Sequence, residues 1–259
     1  MEYGIGYSGN MKLGIAGYGF VGQAHELIFK ECHDIIISDP FKREFGNLKH
    51  ADAIIVCVST PQKEMSGHCD VTNVCDVIDE APDVPILIKS TISPEGWRLI
   101  KDTCKNKDIT FSPEFLRAAH WQEDAKNKRD FYFGGESCNF WSDLFVKALG
   151  KINVDIASPE ELILMKQLRN SYLATKVTFF NQVFDYCKGE GVDFERVRKL
   201  ITADDRIGES HSRVTKERGF GGHCLPKDTL ATVRSALISA DTKMTLLQEA
   251  LDYNDKIKR

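Results

Sequence analysis

The sequence predicts an α/β fold: a mostly parallel sheet domain over residues 11–157, then an all-helical domain over residues 158–259 built around a long central helix. Three observations predict it. Apolar runs rich in Ile and Val recur at residues 12–16, 35–38, 53–58, 85–89 and 109–111, in the unbroken form taken by strands buried on both faces. The first run leads directly into Gly17-Tyr18-Gly19-Phe20-Val21-Gly22 and a helical stretch over residues 23–30. From Pro159 onward the pattern turns helical, with Leu162, Met165, Leu168, Leu173, Val177, Phe180 and Phe184 forming one apolar surface and Gly189 and Gly191 marking its end. Such a helix exceeds roughly 35 Å, more than a small domain needs for its own core, and suits a spacer or a dimer spine. Residues 1–10 read as a tail.

Composition narrows the function classes. With 259 residues, 42% hydrophobic and 28% charged, the chain is a soluble globular protein of one large or two modest domains. A net charge of -4 gives no footprint for nucleic acid or an anionic membrane, so anionic ligands must be held locally. The eight cysteines show no Cys-x-x-Cys pair and no zinc-ligand spacing, so no metal site is predicted. Several, such as Cys57, sit in apolar runs, which suits reduced thiols in a cytoplasmic protein. The start has no basic and apolar leader, and no run is long enough to span a bilayer.

The glycine stretch follows a strand and opens a helix, placing backbone N–H groups and the positive end of a helix dipole where a pyrophosphate would lie. This is the Rossmann-like arrangement. It makes Gly17, Gly19, Phe20, Val21 and Gly22 cofactor candidates. Asp39 ends the second strand, where a carboxylate would grip ribose hydroxyls and favour NAD over NADP, although Lys42 and Arg43 stand close in sequence. The third and fourth strands end in Ser59-Thr60-Pro61 and Ser90-Thr91. Ligands gather at such carboxyl ends, so Thr60 and Thr91 are candidates, with capping or turn formation as the alternative.

After the fifth strand comes Ser112-Pro113-Glu114-Phe115-Leu116-Arg117, in which Glu114 reads as a site carboxylate or a solvated loop charge. Lys166 and Asn170, at i and i+4, project from one face of the long helix. Asp193 is an N-cap candidate for a short helix through Leu200. A polar loop beginning Asp204-Asp205-Arg206-Ile207-Gly208 leads to Gly219-Phe220-Gly221-Gly222-His223-Cys224-Leu225-Pro226-Lys227-Asp228. Glycines allow close backbone approach, and the thiol of Cys224 is a candidate nucleophile with Lys227 and Asp228 beside it.

These pieces, in this order, resemble the UDP-glucose/GDP-mannose dehydrogenase family. The resemblance also runs through the segment from Ala51-Asp52 to Thr60-Pro61, through Lys89-Ser90-Thr91 and through Leu173-Ala174-Thr175-Lys176, and spans nearly the whole chain. It implies oxidation of a nucleotide-sugar primary alcohol to a carboxylate in two NAD-dependent steps. Cys224 matches the nucleophile that forms a thiohemiacetal and then a thioester. Lys166 and Asn170 match a pair that stabilises oxyanions, and Asp228, Thr91 and Glu114 match residues that handle water and protons. Lys227 matches a cofactor-side or site-facing cation. Phe115, Leu116, Arg117, Phe220 and Gly221 fall in substrate-side motifs. Arg206 matches an arginine that reaches the neighbouring subunit's substrate, implying a homodimer through the long helix near residues 160–188.

Three departures concern the substrate more than the chemistry. The chain stops at Arg259, just after a segment resembling the end of the family's central domain, so the resemblance implies a shortened form without the third, nucleotide-gripping domain. Only residues 41–50 separate the Asp39 strand from the next one. Ala118 stands where the family commonly has a second glutamate. Two other readings stay open: a dehydrogenase of a smaller hydroxy substrate, and a catalytically silent NAD-binding dimer, which would have no need of Cys224, Lys166, Asn170, Asp228 and Glu114 together.

Overall fold

Continuous burial turns the apolar runs into strands: Leu13, Ile15, Ile54, Ile55, Val56, Ile86, Leu87 and Ile88 are all fully inaccessible. The computed structural model describes residues 9–41, 46–61, 69–105, 107–222 and 224–258; Lys42, Arg43 and His223 lie outside them. The described residues fall into two compact units, one ending at Leu164 and one beginning at Met165, so the division lies inside the long helix.

The first unit runs β1 (Lys12–Ala16), α1 (Phe20–Phe29), β2 (Asp34–Ser38), β3 (Ala53–Val56), α2 (Thr72–Glu80), β4 (Ile86–Ile88), α3 (Pro94–Thr103), β5 (Ile109–Phe111), α4 (Trp121–Asn127), β6 (Asp130–Gly135), α5 (Cys138–Leu149) and β7 (Asn153–Ile156). Its seven strands lie in the order β2-β1-β3-β4-β5-β6-β7. All neighbours pair in parallel except β5 and β6. The chain leaves β1 for one side of the sheet and returns to β3 on the other, so a switch point lies between β1 and β3, where ligands of open α/β sheets bind. β3 and β4 are shorter than the apolar runs that predict them, because past Ile88 the backbone closes back, with Ser90 N donating to Val56 O at 3.2 Å. The helices follow local rules. α3 has Ser93 as N-cap, accepting from Gly96 N, and Pro94 in its first turn.

The second unit is helical: most of α6 (Pro159–Glu190), then α7 (Phe194–Thr202), α8 (Cys224–Ala240) and α9 (Thr245–Ile257). α6 has 32 residues, about 48 Å at 1.5 Å each. Asp193 caps α7 by accepting from Glu195 N. Ala174, Val177 and Phe220 form one small core with Leu225 and Leu251, and Phe180, Cys187 and Phe194 form another. Leu168, expected on the packed surface of α6, is instead 43% exposed. It joins Leu164, Tyr172, Phe179 and Tyr186 in an exposed apolar stripe. Their spacings of four and seven residues keep them on one side of the helix.

Candidate active site

Two glycines in the loop after β1 have no room for a side chain. A Cβ on Gly17, whose φ is +87°, would lie 2.8 Å from the Cys57 backbone, and one on Gly22 would lie 2.1 Å from Gly17 O. Gly19 differs, because nothing lies within 4 Å of its Cβ position. It is also the N-cap of α1 and supplies no side-chain cap, so the first-turn N–H groups are left to a ligand. Packed on both flanks and open at Gly19, the loop fits a dinucleotide pyrophosphate. Asp39 accepts Tyr18 N at 2.6 Å on one oxygen and Phe41 N at 2.8 Å on the other. Each oxygen keeps a lone pair for a ribose hydroxyl. Phe20 and Val21 form the first turn of α1. The ends of β3 and β4 meet through Thr60 Oγ1, which donates to Thr91 O at 2.7 Å.

Glu114 is 6% exposed and lies inside the first unit. Its carboxylate takes Lys128 Nζ at 2.8 Å and Phe115 N at 2.8 Å on one oxygen, and Lys89 Nζ at 3.2 Å on the other. Burial opposes its charge, but the two lysines outweigh burial and hold its pKa well below the usual value. Leu116 packs against the core under the sheet, and Arg117 is paired with Asp124 at 2.5 Å. Phe115 makes an edge contact with the Tyr132 ring.

In the second unit Cys224 is the first residue of α8, and it is exposed. Asp228 follows at i+4, one turn along the same face. Lys166 and Asn170 stand in the same relation on α6, and Asn170 Nδ2 donates to Asp228 Oδ2 at 2.6 Å. This bond joins the two i, i+4 pairs. Asp228 is 1% exposed and its Oδ1 has no hydrogen-bond partner, an acceptor left available for water or substrate. Lys166 is buried and Lys227 half-buried.

The glycine-rich segment before Cys224 is held from both sides. Asn181 Oδ1 accepts Arg218 Nε at 2.8 Å and Gly219 N at 3.1 Å, while Asn254 Oδ1 accepts Phe220 N at 2.6 Å. Beside it opens a cleft of about 470 Å³ lined by Glu209, His211, Arg213, Phe220 and Gly221 among others. His211 and Arg218 hold left-handed backbone, at φ of 60° and 57°, a conformation that surrounding contacts must enforce. Those contacts are present: Lys176 Nζ donates to Ile207 O and Gly208 O, and buried Arg198 bonds Glu209 and Ser212. Arg206 is exposed and pairs with Asp204.

Thus Thr60 with Thr91, and Asn170 with Asp228, are brought together. Glu209, His211 and Arg213 of the cleft were not singled out by sequence reasoning, nor were Lys128, His25 and Arg198, and Lys89 entered only as part of the Lys89-Ser90-Thr91 segment of the resemblance, without a role of its own. A signal existed for two of them: Lys89 ends an apolar strand, and Arg198 falls within the apolar spacing of Phe194, Val197 and Ile201.

A parallel sheet whose first turn is an open glycine loop, followed by helices presenting a thiol, defines a dinucleotide-binding α/β protein. Comparison with known proteins narrows this class. The NAD binding domain of the UDP-glucose/GDP-mannose dehydrogenase family matches residues 40–141, and that family's central domain matches residues 161–256. The chain belongs to this family. It is 29% identical over 262 residues to a UDP-glucose 6-dehydrogenase of Campylobacter jejuni, covering 85% of this chain and 66% of that one. With one of Rickettsia felis the identity is 34% over 202 residues, covering 72% and 44%. The structure of a UDP-glucose dehydrogenase from Pyrobaculum islandicum superposes with a TM-score of 0.82 at 24% identity, covering 98% of this chain and 70% of that one. The chain thus spans less than two thirds of the length of the first two relatives.

Proposed function

We propose that this protein is an NAD-dependent dehydrogenase that oxidises the primary alcohol of a nucleotide sugar to a carboxylate in two hydride transfers. The observation that carries the reading is the Asn170–Asp228 bond at 2.6 Å, which joins the Lys166/Asn170 pair of α6 to the Cys224/Asp228 pair of α8. NAD, held by Gly17, Gly19, Gly22 and Asp39, with Thr60, Thr91 and Lys227 assigned to the same task, supplies the hydride acceptor. Cys224 adds as thiolate to the aldehyde left by the first oxidation, giving a thiohemiacetal. Lys166 and Asn170 donate to the oxyanion that develops there. The second oxidation leaves a thioester, and Asp228 orients the water that cleaves it through its unpartnered oxygen. Thr91 and Glu114 assist with water and protons. The cleft at Phe220 and Gly221, with Arg213 and His211, suits the polar and anionic parts of the substrate.

The deciding experiment incubates the purified protein with NAD and UDP-glucose, GDP-mannose, N-acetylated UDP-hexosamines or simple hydroxy acids, and counts NADH per substrate consumed. Two NADH with an acid product support the reading. One NADH with a carbonyl product would favour a simpler alcohol dehydrogenase, and NAD binding without turnover a silent module.

The exposed stripe of Leu164, Leu168, Tyr172, Phe179 and Tyr186 on α6 supports a homodimer through this helix, in which the family resemblance gives Arg206 the task of reaching the partner's substrate. A Tyr172→Glu variant should run as a monomer in light scattering where the wild type runs as a dimer, since a buried unpaired charge is costly. All eight cysteines carry free thiols, and among the described residues no helix is long and apolar enough to cross a membrane. The free thiols support a cytoplasmic setting.

A further inference from the structure

One cluster of charge lies in the otherwise apolar interior of the first unit. His25 comes from α1, Cys57 from the end of β3, Lys89 from the end of β4, Ser112 and Glu114 from the segment after β5, and Lys128 from the residue after α4. Lys89 Nζ lies 3.2 Å from Glu114 Oε2 and donates to Ser112 Oγ at 3.0 Å. Lys128 Nζ lies 2.8 Å from Glu114 Oε1, with the Phe131 ring 4.8 Å away. The two lysine side chains are 0% and 14% exposed.

A buried carboxylate without a cation takes up a proton and stays neutral. One cation would suffice to prevent that, and burying a second is costly. Two ammonium groups on one carboxylate are therefore more than packing requires. His25 does not share the load: its Nδ1 is engaged with Val21 O at 2.8 Å, and its Nε2, 3.8 Å from Glu114, has no hydrogen-bond partner. Burial, and then Lys89, push its pKa down to about 4, so it is neutral around pH 7. The Cys57 thiol is pushed up by burial and is likewise uncharged. Lys89 is lowered by burial to about 8, with Glu114 pulling it back up, and is still mostly cationic at neutral pH. The two full positive charges on Glu114 are thus those of Lys89 and Lys128, with Phe115 N adding a neutral donor at 2.8 Å.

Lys89 also adjoins the neighbouring turn. It directly precedes Ser90, whose Oγ donates to Val58 O at 2.7 Å, and Thr91, whose carbonyl accepts from Thr60. We propose that Lys89 and Lys128 are positioning residues that hold Glu114 as an anion in one orientation, with Lys89 tying that carboxylate to the Ser90-Thr91 turn. The proposal rests on Glu114 taking part in the reaction above.

Carboxyl-labelled [13C]glutamate in the full chain tests it by NMR, with Glu114 assigned through Glu114→Gln. In the wild type the Glu114 signal should keep its anion shift down to pH 4, below the inflection of the surface glutamates. In Lys89→Met or Lys128→Met the Glu114 inflection should rise by at least one pH unit, and the acid limb of NADH production should rise with it. A merely structural role would lower the melting temperature without moving either curve. Titration of wild-type Glu114 together with the surface glutamates would overturn the proposal, as would an unmoved inflection in a folded variant. Should Lys89→Met fail to fold, the wild type and Lys128→Met still decide. A wild type that binds NAD but turns over no substrate counts against the proposed function, while the carboxyl titration continues to report on the lysines.

Discussion

On the proposed reaction, Cys224→Ala is expected to lower NADH formation from a nucleotide sugar by about three orders of magnitude or more, the scale on which removing a nucleophile acts. NAD affinity should stay within about twofold, because the glycine loop of the first unit is untouched. Alanine suits the first turn of α8, so stability should hold. Stopped-flow absorbance at 340 nm separates the two oxidations: a variant halted at the aldehyde gives at most one NADH per substrate, against two for the wild type. Unchanged steady-state turnover in the variant would remove Cys224 from the chemistry.

Gly22→Ala carries the second large effect. The added Cβ would sit 2.1 Å from Gly17 O; the Cβ is fixed rigidly to its Cα and the oxygen belongs to backbone, so neither can swing aside. Either α1 lifts from β1 or the loop loses its shape, at a cost of roughly 1–3 kcal/mol from overpacking alone. Binding should suffer more than folding, since the proposed pyrophosphate site is made of that backbone. Calorimetry should show NAD affinity reduced by at least tenfold, with a thermal midpoint several degrees lower. Gly19→Ala offers the contrast: its Cβ meets nothing within 4 Å in the free protein. It should leave the melting temperature alone and weaken NAD only through the space the cofactor needs.

Much of this was legible in the residues. Five strands and the long helix follow from local pattern, because strands buried on both faces and a helix with a periodic apolar side leave different periods. β6 and β7 were harder to read. β7 is largely exposed, with only Val154 half-buried, so it lacks the apolar run that marks β1 to β5. The helix beginning at Cys224 was hidden by the glycines before it and by Pro226, which reads as a breaker unless the first turn is already located.

For the site, i, i+4 spacing placed Lys166 with Asn170, but pairing Asn170 with Asp228 across 58 positions needs the packing of α6 on α8. Glu114 shows the limit most clearly. In sequence it looks like a loop charge beside a proline, and its partners Lys89 and Lys128 are distant in the chain. Only the folded sheet gathers them. The cleft residues Glu209, His211 and Arg213 lay in a stretch with no period, where backbone of unusual hand is held by Lys176, Arg198 and Asn181.

The exposure of Cys224 has a practical consequence. Of eight free thiols it alone is exposed; Cys69, Cys104, Cys138 and Cys187 are buried, and Cys32, Cys57 and Cys75 lie between. A brief, substoichiometric dose of iodoacetamide should carbamidomethylate Cys224 ahead of the other seven, giving by intact mass a singly labelled fraction of chains that grows as NADH formation falls in proportion. The same thiol then serves as a counter of competent sites and as an anchor for a fluorophore or a covalent inhibitor.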